Sequence, residues 1–129
     1  MPSEHEILAM ERQALERWCK GDPLGFLEIS APDVVYVDPY SPKRLDGWPS
    51  LKSYYENFRG GVNGATGFGL IDPKVQEWSD TAILTFVFTY HGGRDDGKRW
   101  NCVEVYRRTP SGWRIMHTHW SIAQATLAS

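Results

Sequence analysis

The chain has 129 residues, with 14 Lys and Arg against 16 Asp and Glu and a formal net charge of −2. That is the length of one ordinary domain, residues 1–129, and the near-balanced charge gives no footprint for nucleic acid or an anionic membrane. No apolar run approaches the ~20 residues of a membrane span and the polar N-terminus has no signal pattern, so a cytoplasmic location is expected.

Ser3 with Glu6 fits a capping box, and Ile7, Met10, Ala14, Leu15 and Trp18 recur at helical spacing up to a stop at Gly21. Asp22-Pro23 supplies a cap and a first-turn proline for a short second helix through Ile29. Residues 33–38 form a strand ended by Pro39. A third helix starts near Trp48-Pro49 and reaches Phe58 or Arg59. The glycine-rich stretch from Gly60 to Gly69 follows a helix and lacks a Lys-Ser/Thr tail, so it reads as a mobile surface loop over a site rather than a phosphate loop. Strands then follow over 70–79, 81–91, 99–108 and 113–123, with a solvated hairpin tip at Arg94 to Arg99. Helices followed by an antiparallel meander define an α+β fold. Cys19 and Cys102 lie far apart in different elements; reduced thiols are expected, with a disulfide as the alternative.

Six Trp, six Tyr and five Phe are a heavy aromatic load for so small a domain, and the polar tips of Tyr and Trp need partners, which points to a lined cavity or an interface. Strand alternation groups Leu84, Phe86, Phe88 and Tyr90 on one face, and Trp100, Cys102, Glu104 and Tyr106 on one face of the next strand. The same rule puts Trp113, Ile115, His117 and His119 together, with Met116, Trp120 and Ile122 opposite. Both sheet faces therefore carry apolar side chains: helices cover one, and a second copy of the chain is the simplest cover for the other. Glu104, His117 and His119 would form a polar cluster in an aromatic cavity, where shifted pKa values suit proton transfer. The plainer readings are that Glu104 pairs with a histidine or with Arg114, that the histidines are simply hydrogen-bonded, and that Asp38 opens a turn. A metal site made of His117, His119 and Glu104 is a third reading; no metal or other cofactor is expected.

Trp18 through Gly21-Asp22, Asp33 through Asp38-Pro39, Asp46-Gly47 opening a helix, and the closing runs Val103 to Arg108 and Gly112 to Ser121 resemble the nuclear-transport-factor-2-like (NTF2-like) superfamily. The resemblance implies three N-terminal helices packed on a strongly curved, mainly antiparallel sheet, a cone-shaped pocket, and a homodimer through the outer sheet face. In the ketosteroid-isomerase and SnoaL-like branch, Asp38 falls at the proton-shuttling base and Glu104 at a protonated acid that donates to an oxyanion. The isomerase's catalytic tyrosine corresponds to Ala14, so half of that oxyanion hole is absent; Tyr36, Tyr54, Tyr55 or His119 are the candidates to replace it. The expectation is a homodimer binding a small, mostly apolar molecule, with Asp38, Glu104, His117 and His119 as catalytic candidates. Trp18, Tyr36, Tyr54, Phe58, Phe86, Phe88, Tyr90 and Trp100 would form the cavity wall, and Trp120 would lie on the outer face. The ending equally resembles the association (hub) domain of calmodulin-dependent kinase II, whose two pocket arginines correspond to Glu104 and Trp120. That branch implies a non-catalytic assembly module.

Overall fold

The computed structural model describes residues 3–61 and 63–123, so Met1, Pro2, residues 124–129 and, within the glycine-rich stretch, Val62 lie outside the described residues. The first helix, α1 (Glu4–Cys19), buries Ile7, Glu11, Ala14 and Leu15 along one stripe at spacings of three and four. The expected capping box does not form. Ser3 instead donates from its N–H and Oγ to the Glu77 carboxylate and accepts a bond from Arg108, so tertiary partners replace the local cap. The C-terminus closes as the sequence suggests. Gly21 has φ +84°, its N–H reaches the Trp18 carbonyl and that of Asp22 reaches Arg17, a Schellman arrangement.

α2 (Leu24–Glu28) starts where Asp22 Oδ1 accepts the Leu24 N–H. Strand β1 (Ser30–Val37) is followed by a two-residue strand, β2 (Leu45–Asp46), that the sequence does not announce, and by α3 (Trp48–Tyr55), which ends in a 3₁₀ turn over Glu56–Phe58. Four long strands complete the chain: β3 (Gly67–Trp78), β4 (Thr81–His91), β5 (Arg99–Thr109) and β6 (Gly112–Ile122). With β1 and β2 they form one curved, open six-stranded sheet in the order β2-β1-β6-β5-β4-β3, antiparallel throughout except for the parallel β1–β6 pair. The helices cover the inner face, where Leu84, Phe86, Tyr106, Trp113 and Ile115 are buried with Ile7, Leu15 and Leu51. No helix among the described residues is long and apolar enough to cross a membrane.

One irregularity matters for function. Val105 pairs with His117 but Tyr106 pairs with Ile115, so Met116 is an extra residue in β6. A bulge of one residue reverses the side-chain phase beyond it. Trp113 and Ile115 face inward before the bulge; after it Thr118 and Trp120 face inward, and His117 and His119 face outward.

Candidate functional site

The inner face of the sheet and the helices enclose a cavity of about 280 Å³, at the small end of ligand sites. Six of the eight expected wall residues line it: Trp18, Tyr36, Phe58, Phe88, Tyr90 and Trp100. Tyr54 reaches the site only through its hydroxyl, which donates to Asp38. Phe86 stands behind the wall, 2% exposed, with its ring edge-on to Trp120. The wall also holds Leu15, Phe26, Tyr40, Tyr55 and Trp120, and its rim holds Asn63 of the glycine-rich loop with Arg94 and Asp95 of the hairpin tip. That tip is thus part of the site and not merely solvated. The expected position of Trp120 on the outer face is corrected by the Met116 bulge, and so is the inward position of His117 and His119.

Asp38 lies at the cavity wall and is held from both sides. Its Oδ2 accepts the hydroxyls of Tyr36 and Tyr54, each at 2.7 Å. Its Oδ1 accepts the backbone N–H groups of Tyr40 and Ser41 at 2.8 and 2.7 Å, which is the turn-opening role. The turn-opening reading of this residue therefore holds on Oδ1, while Oδ2 is held at the cavity wall by the two tyrosines. The Tyr36 hydroxyl is pushed well above the usual phenol range, chiefly by burial, and Tyr54 is raised by burial and by the adjacent carboxylate. Tyr55, which lines the cavity beside Tyr36, is raised by burial and then by the proximity of Glu104.

Glu104 is fully buried but does not line the cavity. Its partner is Glu11, which the sequence reading missed. Burial and then the Glu11 charge push Glu104 well above the ordinary carboxyl range, and Glu104 holds the proton it shares with Glu11, itself raised by burial. Tyr106 donates to Glu11 Oε1 at 2.7 Å and Thr118 to Glu104 Oε2 at 3.1 Å; the two remaining oxygens are buried with no other partner among the described residues. A signal for Glu11 was present: it sits four residues after Ile7 and four before Leu15, inside the apolar stripe of α1. Because Glu104 faces inward and the two histidines outward, the three cannot converge on one metal ion.

The loop and the hairpin are locked together at the rim. Asn63 donates to Asp95 at 3.1 Å, its carbonyl accepts the Arg94 N–H, and its Oδ1 accepts the Ala65 N–H. Arg94 and then Asn63 hold the Asp95 carboxyl below the usual carboxylate range. Cys19 is half-buried and Cys102 fully buried; both are free thiols, and burial raises both.

A curved sheet closed by three helices around an aromatic cavity is the architecture of the NTF2-like proteins. Within that class the chain belongs to the SnoaL-like domain family, whose model matches residues 7–125. A candidate ketosteroid isomerase from Parabacteroides distasonis ATCC 8503 is 36% identical over 92% of this chain and 86% of its own, with a TM-score of 0.80. The CaMKII hub of S. rosetta is 25% identical over 91% of this chain and 94% of its own, with a TM-score of 0.74. A CaMKII association-domain candidate from Xanthomonas campestris shares the fold at 18% identity, 98% and 91% coverage and a TM-score of 0.79. No curated protein matches the sequence.

Proposed function

We propose that the chain binds a small, mostly apolar molecule carrying a carbonyl or hydroxyl group, and that Asp38 moves a proton at the carbon next to that group. The observation that carries this reading is a carboxylate fixed by two tyrosine hydroxyls and two backbone N–H groups at the wall of an aromatic cavity. In the step, the Cα–H bond of the bound carbonyl compound breaks, its proton goes to an Asp38 oxygen, and the electron pair moves onto the carbonyl oxygen as an enolate. The proton then returns to carbon. All the acceptor positions of Asp38 are taken, so one donor swings aside to let substrate approach; half-buried Tyr54 is the donor placed to do so. The likeness to the candidate ketosteroid isomerase supports the reaction class. Glu104 has no part in the step, because its proton is shared with Glu11 away from the cavity, and His117 and His119 have none because they face outward.

The test is the exchange of α-protons of 2-tetralone in D₂O, followed by NMR. Wild-type protein is expected to accelerate exchange and Asp38→Asn to abolish the acceleration while still binding the ketone. Equal rates with both proteins sink the catalytic reading.

A second reading concerns assembly. The outer sheet face leaves Trp78 and Val103 55 and 38% exposed, and the hub of S. rosetta is a neighbour of this chain. A second copy covering this face, as a homodimer, is compatible with a working cavity on the other side of the sheet. A larger ring in light scattering would favour the association role over the enzymatic one.

A further inference from the structure

The hydroxyl of Tyr90 stands where the main cavity meets a second hollow of about 200 Å³, and Tyr90 lines both. Its oxygen is already an acceptor. The Trp18 indole N–H donates to it at 3.1 Å. A phenol has one proton to give, and that of Tyr90 has no acceptor among the described residues. Burial raises Tyr90 above the usual phenol value, so the proton stays on. Accepting hydrogen bonds also polarises an O–H and makes it a better donor. The indole N–H of Trp18 is thus spent in orienting Tyr90.

We infer that the Tyr90 hydroxyl is the donor that binds an acceptor oxygen of the ligand, a ketone, ester or ether oxygen lying at the junction of the two hollows. Trp18 is its positioning residue. The assignment rests on the cavity being the binding site, and it separates ligands by the presence of an oxygen acceptor rather than by shape.

The probes are 2-tetralone and tetralin, which differ by the ketone oxygen, with binding followed by tryptophan fluorescence. Wild-type protein is expected to prefer the ketone by about five- to ten-fold, the worth of one neutral hydrogen bond. Tyr90→Phe removes one oxygen atom from the wall and is expected to bind tetralin unchanged and to lose the preference. Trp18→Phe, which leaves Tyr90 in place, is the second variant and is expected to lower the preference about two-fold. A preference undiminished in both variants overturns the assignment of Tyr90 while leaving the cavity reading intact. Failure of both probes to bind wild-type protein overturns both.

Discussion

Glu104 of β5 faces Glu11 of α1 across the helix–sheet interface, both completely buried, with Thr118 donating to the first and Tyr106 to the second. The pair has a consequence for stability that can be given a sign. Both groups titrate higher in the folded protein than in the unfolded chain. The stability they supply is full below the ordinary glutamate range and is lost as pH rises towards the folded values. The slope is about 1.4 kcal/mol per pH unit for each proton the folded state retains. Urea midpoints of the wild type are therefore expected to fall as pH rises above the ordinary glutamate range. Glu104→Gln offers Glu11 the same kind of donor without titrating, so the slope should shrink to the share of Glu11 alone. A wild-type midpoint that does not move with pH, or a variant whose slope is undiminished, contradicts the shared proton.

Two substitutions at Asp38 separate its two jobs. Asn keeps an oxygen for the Tyr40 and Ser41 N–H groups, so Asp38→Asn should lose proton exchange with little change in Tm. Asp38→Ala removes the turn acceptor and leaves the Tyr36 and Tyr54 hydroxyls without their partner. It should be less stable by roughly 1–3 kcal/mol as well as inactive. Calorimetry run beside the exchange assay checks both.

The phase reversal at Met116 predicts opposite outcomes for neighbours in β6. Trp120→Ala should enlarge the cavity, weaken 2-tetralone binding and quench less fluorescence on binding. His119→Ala should leave the affinity within two-fold. If removal of His119 costs as much as removal of Trp120, the face assignment fails.

Assembly through the outer face predicts that Val103→Glu, a charge placed beside His119 in the sheet register, shifts the protein towards monomer in sedimentation velocity while 2-tetralone binding survives. Like charges meeting across a two-fold interface are the cause. An unchanged sedimentation coefficient would place the contact elsewhere.

Gly93 has φ +80° and a Cβ there would run into the Asn63 carbonyl and the Ala65 backbone. Gly93→Ala should therefore detach residues 63–66 from the hairpin tip. Faster hydrogen exchange of the Arg94 amide, which Asn63 now protects, is the expected sign, together with weaker ligand binding.

The local pattern of the chain was enough to read the helices, the four long strands and the inner faces of β4 and β5, because each is set by spacing along a single element. It also drew attention to Asp38 and to most of the aromatic wall. The resemblance of Trp18–Asp22, Asp33–Pro39 and the last two strands supplied the cone. Two things could not be read this way. Alternation assumes an unbroken strand, and the one-residue bulge at Met116 exchanges Trp120 for His117 and His119 at the site. The match of Trp120 to a pocket position of the hub was the hint in the sequence that alternation would fail there.

Glu11 is the converse case. Its place on the apolar stripe of α1 was visible, but a lone carboxyl in such a stripe makes sense only once Glu104, Tyr106 and Thr118 are seen around it. Composition and spacing by themselves determined an aromatic-rich α+β domain with an acidic residue closing its first strand. Only the tertiary structure decided which polar groups face the cavity and which face each other, because a bulge and a helix-to-sheet contact are fixed by packing between elements and not by the sequence of any one of them.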